Sequence, residues 1–158
     1  MRRRRATPLA RVGRRAAELV AGLPAGTTDY ALTRDLRTPM SDGVVLLGDL
    51  YRPRGSGPGP VVLIRTPYGR TTLGSRLFAI VLARRGFQVL VQSIRGSFGS
   101  GGAFRPFTTE HRDGLDTLAW VRAQRWCDGR VATTGASYFG HTQWALSLIH
   151  ISEPTRPY

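Results

Sequence analysis

The chain has 158 residues, about the size of one domain, and its 41% hydrophobic content indicates a globular protein and excludes a disordered one. The formal net charge is +13, but all 23 basic residues are arginine and seven of them lie within residues 1–15. The rest of the chain has no basic helix with interleaved aromatic residues, so specific nucleic-acid binding is not expected. The arginine-rich start is compatible with nonspecific binding to polyanions or anionic lipid.

The first predicted elements form a hairpin and a buried strand. Residues 1–26 are interpreted as a basic, alanine-rich leader. "DYALTRDLRTPM" and "VVLLGDLYRP" have strand character, and the "SDG" between them favours a hairpin turn. After a Gly/Pro loop, "VVLIRTPY" (61–68) is a nearly continuous apolar run, which is typical of a strand buried on both faces.

Helices and strands alternate through the remainder of the chain. "SRLFAIVLARRG" predicts a helix that stops at Gly86, and "FQVLVQSI" predicts another buried strand. "RGSFGSGGAF" is expected to be a long flexible loop, and "TEHRDGLDTLAWVRAQ" an amphipathic helix with Thr109 as one candidate N-cap. "RVATTGAS" is the next strand, followed by a helix-like stretch. This order predicts an α/β fold with a mostly parallel sheet, flanking helices and an opening antiparallel hairpin.

The last residues depart from this pattern. Residues 146–156 read as the translation of a transposon-type sequencing adapter, eleven consecutive residues long. We therefore expect residues 146–158 not to be native, residues 27–145 to be a truncated domain, and the natural gene to continue past about Ala145. On this interpretation His150 and Glu153 have no chemical role.

The stretch "VATTGASYFGHTQW" contains Ser137, a candidate catalytic nucleophile. A strand that runs into Gly-x-Ser and then into a helix is the context of a nucleophile elbow, in which the serine hydroxyl is exposed at the carboxyl edge of the sheet. In this chain the usual second glycine is displaced by one position, to Gly140, with Phe139 before it. The spacing alone therefore leaves two interpretations open for Ser137, a nucleophile or a structural turn.

Several segments resemble, in the same order, the bacterial cocaine esterase (CocE/NonD) hydrolases, which are relatives of X-prolyl dipeptidyl peptidases and α-amino acid ester hydrolases. The resemblance covers residues 36–145 and rests on "MSDGVVLLGDLYRP", "PVVLIRTPYGR", "VLVQSIRGSFGSGGAFRPF" and "DGLDTLAWVRAQRWCDGRVATTGASYFGHTQW". It implies the N-terminal portion of an α/β-hydrolase fold. It also implies Ser137 as the nucleophile, the Tyr68 hydroxyl and the Tyr138 backbone N–H as oxyanion donors, and a triad aspartate and histidine beyond residue 145. Without the resemblance, a tyrosine packed at the sheet edge would be the simpler interpretation of Tyr68.

Other polar residues receive no catalytic role. His111 is interpreted as a solvated or first-turn residue, and His141 is expected to lie on the helix after the elbow and to point away from Ser137. Three acidic residues are interpreted as lying on helix surfaces or in turns: Asp113, Asp116 and Asp128. Arg95 and Gly96 follow a strand's carboxyl end, where the family usually has Asp-Val-Arg-Gly; Ser93 replaces that aspartate, so its role stays open.

The sequence therefore predicts a serine hydrolase acting on a small-molecule or peptide ester or amide, without metal or organic cofactor. Esterase, acylase and X-Pro dipeptidyl-peptidase activities share these motifs, and a homo-oligomeric parent protein is compatible with them. The alternative is a noncatalytic α/β domain whose arginine-rich start binds polyanions. The single cysteine, Cys127, excludes an internal disulfide framework and is expected to be a small buried thiol. No apolar run of about 18 residues predicts a membrane span, and the start is a poor signal peptide, so a cytoplasmic location is the default expectation.

Overall fold

The computed structural model describes residues 22, 25–135 and 137–151, the last five of them without side chains. Its five strands are β1 (Tyr30–Pro39), β2 (Val45–Pro53), β3 (Gly59–Thr66), β4 (Gln88–Ser93) and β5 (Cys127–Thr133). Its three helices are α1 (Leu73–Ala83), α2 (Glu110–Arg122) and α3 (Tyr138–Ile151). Nearly all of the predicted leader, and the tail beyond residue 151, lie outside the described residues.

The five strands form one mixed sheet in the order β1-β2-β4-β3-β5. β1 and β2 are the predicted antiparallel hairpin, closed by hydrogen bonds between Met40 and Val44 and between Gly43 and Met40. β2 pairs with β4 antiparallel as well, whereas β3 pairs parallel with both β4 and β5. The parallel part of the predicted sheet therefore consists of β4, β3 and β5, with β3 in the middle and β5 at one edge of the described sheet.

The core lies on both faces of this sheet because β3 alternates its side chains. Val62 and Ile64 pack in a cluster with Ile80 and other residues of α1. Val61 and Leu63 pack on the opposite face with Val121 of α2 and with Trp126. A strand covered on both faces needs apolar residues at every position, which explains the continuous apolar run in the sequence. The result is three layers, with the carboxyl ends of β3, β4 and β5 at a common edge.

The glycine-rich loop that follows β4 is anchored along its length, in contrast to the flexible loop expected from its composition. The backbone N–H of Gly96 donates to the Gly101 carbonyl at 2.9 Å, and that of Gly101 donates to the Val45 carbonyl at 2.9 Å. Ser100 is buried; its hydroxyl donates to the Ser93 carbonyl and accepts from the N–H of Leu47. These bonds fasten the loop to the end of the hairpin.

Two sequence interpretations of single residues are corrected by the structure. Asp113 was expected on a helix surface, but α2 turns it inward, where it is 1% exposed and paired with Arg95. Cys127 was expected to be buried, but it is only partly buried because it begins the edge strand β5. Asp116 and Asp128 do lie in the expected surroundings: Asp116 accepts bonds from Ser41 in the hairpin turn, and Asp128 is exposed.

The helix α1 ends at Ala83, three residues before the predicted stop at Gly86, whereas α2 lies within its predicted stretch. α2 does begin after Thr109, although the Thr109 side chain makes no capping bond; the Glu110 carboxylate accepts the Thr109 N–H instead, at 3.1 Å. α3 continues without interruption past position 145, where the junction with the adapter is expected, so the proposed domain limits stay a prediction. Among the residues with described structure, no helix combines the length and the hydrophobicity required to cross a membrane.

Candidate active site

Ser137 lies in the turn between β5 and α3, at the carboxyl edge of the sheet. Its φ angle is 59°, in the left-handed region that residues other than glycine seldom adopt. Such a conformation costs on the order of 1–3 kcal/mol and persists only where the surrounding structure enforces it. Ser137 is also exposed, as a nucleophile elbow requires.

The turn before Ser137 requires glycine at position 135. Gly135 has a φ angle of 139°, and a Cβ atom added there would lie 2.3 Å from the Cβ of Phe139. Gln143 of α3 donates to the Gly135 carbonyl at 2.9 Å and closes the turn. At Gly140, the displaced second glycine of the motif, an added Cβ would have 3.7 Å to its nearest neighbour. Steric crowding therefore requires glycine at position 135 but not at position 140.

Tyr68 follows β3 by two residues, and its hydroxyl lies 3.3 Å from the Oγ of Ser137. Its backbone N–H donates to the Thr66 hydroxyl at 2.9 Å, which holds the chain as it leaves the strand. The ring packs edge-on against Phe139, with centroids 5.5 Å apart. The side chain is 48% exposed, so the hydroxyl and Ser137 face an open surface.

A buried arginine fastens the segment that carries Tyr68. Arg70 is 8% exposed, and its guanidinium bonds to four groups, one each from β1, β2, β4 and the loop after β4. These are Asp49 at 3.2 Å, Asp35 at 2.5 Å, the Ser93 hydroxyl at 2.8 Å and the Phe98 carbonyl at 2.9 Å. Ser93, whose role the sequence left open, is therefore a partner of Arg70. Because a buried guanidinium needs its bonds satisfied, this cluster fixes the backbone next to Tyr68.

Tyr138, the first residue of α3, is anchored by its hydroxyl. That hydroxyl donates a short hydrogen bond to Oε1 of Glu110 and accepts the N–H of Phe107 at 3.3 Å. Burial, with the bond to Glu110, raises the pKa of Tyr138 to about 12. The first N–H groups of a helix have no partner inside the helix, so the Tyr138 amide beside Ser137 is available to a ligand. Sequence reasoning missed Glu110, which is 4% exposed.

Arg65, the penultimate residue of β3, is a second residue that the sequence did not single out. It is 2% exposed; Nη1 donates to the Glu110 carbonyl at 2.7 Å and Nε donates to Gln92 at 3.2 Å. Burial lowers its pKa to about 10, so it is charged at neutral pH. A signal was present: an arginine inside the apolar run "VVLIRTPY" requires polar partners from elsewhere in the fold.

The histidines occupy the positions that the sequence indicated. His111 lies in the first turn of α2, and its Nδ1 is 2.7 Å from the Ala145 carbonyl, which joins α2 to α3. The His141 ring packs edge-on against Phe107, with centroids 4.6 Å apart, and contacts the Tyr138 ring. The side chain of His150 lies outside the described residues. In the part of the chain that is described, neither imidazole forms a hydrogen bond with the Ser137 hydroxyl.

Arg95 and Gly96 brace the edge of the site. The Arg95 guanidinium pairs with both carboxylate oxygens of Asp113, at 2.6 and 2.9 Å, and with Asp42 of the hairpin turn at 2.9 Å. Gly96 has a φ angle of 67°, and an added Cβ would lie 2.1 Å from the backbone nitrogen of Phe104. Within residues 22, 25–135 and 137–151, no three His, Cys, Asp or Glu side chains are grouped so that they could hold a metal ion.

Comparison with known proteins places the chain among hydrolases. It is 42% identical over 126 residues to the cocaine esterase of Rhodococcus sp. (strain MB1 Bresler), a match that covers 76% of this chain and 22% of the esterase. The structure is similar to an aminopeptidase from a marine sediment Thaumarchaeota archaeon, with a TM-score of 0.65, 30% identity and coverage of 78% of this chain and 24% of that one. It also shares its fold with a CocE/NonD family hydrolase from Staphylococcus aureus, with a TM-score of 0.68, 24% identity and coverage of 77% and 25%.

These relatives confirm the α/β-hydrolase fold and the resemblance to CocE/NonD hydrolases that the sequence predicted. The chain spans about a quarter of the length of each of them. The family profile described as X-Pro dipeptidyl-peptidase (S15 family) matches residues 42–152, more than half of the chain. The chain therefore belongs to the X-Pro dipeptidyl-peptidase (S15) family.

Proposed function

We propose that the parent protein is a serine hydrolase that cleaves an ester or an amide, with Ser137 as the nucleophile. The observation that carries this proposal is the 3.3 Å distance between the Ser137 Oγ, on a left-handed turn, and the Tyr68 hydroxyl. A serine held in this backbone conformation at the carboxyl ends of parallel strands is the arrangement of a nucleophile elbow. A packing tyrosine at the sheet edge has no need to direct its hydroxyl at that serine.

The chemistry follows from these positions. The Ser137 Oγ attacks the substrate carbonyl while its proton passes to a histidine, and the carbonyl oxygen becomes an oxyanion. The Tyr68 hydroxyl and the Tyr138 N–H donate hydrogen bonds to that oxyanion. Collapse of the tetrahedral intermediate expels the alcohol or amine, which takes the proton from the histidine. Water then cleaves the acyl-serine by the same steps, so no oxidant, metal or organic cofactor is consumed.

The histidine and its orienting aspartate belong, in this proposal, to residues encoded past about position 145. Neither His111 nor His141 is assigned to the triad, because their rings are engaged with the Ala145 carbonyl and with Phe107. The 158-residue chain is then inactive as written: loss of a triad base costs about 10⁶ in rate in a serine protease. The substrate class is an ester or amide of a small molecule or peptide. The names of the relatives, an esterase and an aminopeptidase, support both halves of that class.

Substitutions in the full-length protein encoded by the parent gene test the proposal. Ser137→Ala should abolish p-nitrophenyl ester turnover and labelling by a fluorophosphonate probe. Tyr68→Phe should lower kcat by ~10²–10³, about 2.7–4 kcal/mol of transition-state stabilisation, because it removes one oxyanion donor. Tyr30→Phe removes a hydroxyl from the hairpin edge and serves as the matched control, with turnover unchanged. Turnover that persists in Ser137→Ala would disprove the proposed function.

A further inference from the structure

We propose that Glu110 is a positioning residue that holds the two oxyanion donors of this site in register with each other. The inference rests on the proposed function and concerns the same site. Glu110 is the first residue of α2, and among the described residues its side chain forms no hydrogen bond with Ser137 or Tyr68. It acts through its contacts with Tyr138 on one side and with β3 on the other.

The first contact fixes the residue that follows Ser137. The Tyr138 hydroxyl donates to Oε1 of Glu110, and the same hydroxyl accepts the Phe107 N–H. The Tyr138 backbone N–H is the donor proposed for the oxyanion, and it belongs to the residue whose side chain is tied down. With a pKa raised to about 12, the phenol keeps its proton, and therefore its role as donor, at every pH used for an esterase assay.

The second contact fixes Glu110 to the strand that leads to Tyr68. Arg65 of β3 donates through Nη1 to the Glu110 carbonyl at 2.7 Å. The next residue, Thr66, accepts the Tyr68 N–H with its hydroxyl at 2.9 Å. A continuous series of bonded groups therefore runs from the Tyr68 backbone along β3 to Glu110, and from the Glu110 carboxylate to Tyr138.

The burial of Glu110 argues against an incidental contact. The residue is 4% exposed, and within the described ranges its carboxylate has no arginine or histidine nitrogen within ion-pair distance. Burying a carboxylate is costly unless hydrogen bonds compensate for the lost water. Its compensation comes from hydrogen bonds with the Tyr138 hydroxyl and the Thr109 N–H, from the nearby positive charge of Arg65 and from the positive end of α2. A carboxylate retained under these conditions directs Tyr138, and a displacement of about 1 Å at such a donor can cost 10²-fold in rate.

The test uses the full-length protein with Tyr138→Phe, Glu110→Ala, Glu110→Gln and the Tyr138→Phe/Glu110→Ala double variant. Sites are counted by fluorophosphonate titration so that kcat is expressed per reactive serine. We expect kcat per site about tenfold lower in Tyr138→Phe and in Glu110→Ala, with KM within about twofold, because the lost interaction acts in the transition state. The double variant should be no slower than the slower single one. Glu110→Gln keeps an amide oxygen for the phenol and should recover most of the lost rate.

The outcomes separate this inference from the proposed function. Wild-type kcat per site in both Tyr138→Phe and Glu110→Ala, with Ser137→Ala inactive, would overturn the positioning role and leave the hydrolase intact. A loss of turnover explained wholly by fewer titratable sites, or additive losses in the double variant, would also overturn it. Turnover that survives Ser137→Ala would instead remove the proposed function itself. Tyr30→Phe controls for loss of a phenol elsewhere.

Discussion

Asp113→Ala should destabilise the chain strongly, although the sequence places this residue among surface charges. The Asp113 side chain is 1% exposed and accepts two bonds from the Arg95 guanidinium, whose side chain is 9% exposed. The bond to Asp113 is the main cause that raises the pKa of Arg95. Removing the carboxylate leaves a buried cation without its principal partner.

The expected loss follows from that geometry. Breaking a buried ion pair by removing one partner costs about 3–5 kcal/mol. Asp42 remains 2.9 Å from Arg95 Nη1 and is itself partly exposed, so some compensation survives. We therefore expect the lower limit, about 3 kcal/mol, which at an m-value of about 2 kcal/mol/M lowers the urea midpoint by about 1.5 M. The control is Asp128→Ala, which breaks an exposed pair with Arg130 and should stay close to the parent chain.

Pulse proteolysis in urea at submicromolar concentration of the 158-residue chain measures these midpoints while limiting association. The reasoning is refuted if Asp113→Ala shifts the midpoint no more than Asp128→Ala does. It is equally refuted if the two midpoints differ from the parent by less than about 0.3 M, since that corresponds to well under 1 kcal/mol.

Three further predictions concern the elbow and the edge strand. Gly135→Ala should lower the free energy of unfolding by about 2–4 kcal/mol, because the added Cβ would lie 2.3 Å from that of Phe139 and the φ angle is positive. Gly140→Ala should be neutral or stabilising, and thermal unfolding compares the two variants. In an alkaline titration followed by tyrosinate absorbance, Tyr138→Phe should remove a late ionisation near pH 12. The unfolded state loses this proton near pH 10 and the folded state near 12, so the free energy of unfolding should fall between these values in the parent chain, and a flat profile would contradict the assignment. Ala132→Lys places a charge on the exposed edge strand β5 and should reduce self-association in sedimentation velocity; unchanged association would show that this edge is not the contact.

The parts of the fold that the sequence predicted are those that depend on short local sequence patterns. The apolar run before Tyr68 identified β3, the "SDG" turn identified the hairpin, and the strand-to-helix passage around Ser137 identified the elbow. Each signal lies within about ten neighbouring residues. The proximity of Tyr68 and Ser137, 69 positions apart, was implied by the family resemblance; the parallel strands, whose carboxyl ends meet at one edge of the sheet, account for it physically.

The supporting residues could not be predicted in the same way, because their partners are remote and their sequence surroundings are ordinary. Glu110 meets Tyr138 from 28 positions away, and Asp113 meets Arg95 from 18. In the stretch "TEHRDGLDTLAW" both acids look like the polar face of an amphipathic helix. Which face is solvated depends on where α2 lies against the sheet, and only the tertiary structure gives that. Arg65 was the exception, since its position in an apolar strand was itself a sign of a buried network.

The left-handed backbone at Ser137 limits which amino acids can act at this position. At a φ angle of 59°, the Cβ atom is crowded by the backbone, and a second heavy branch on Cβ makes the conformation a true outlier. Threonine has a hydroxyl of similar reactivity, yet its branched Cβ is poorly accommodated in this turn. Cysteine, with an unbranched Cβ like that of serine, and aspartate, which is enriched at such angles, are accommodated better. The backbone geometry of the turn therefore restricts which nucleophilic side chains fit at position 137. The thiol of cysteine or the carboxylate of aspartate could replace the Ser137 hydroxyl with the backbone unchanged, whereas the secondary alcohol of threonine could not.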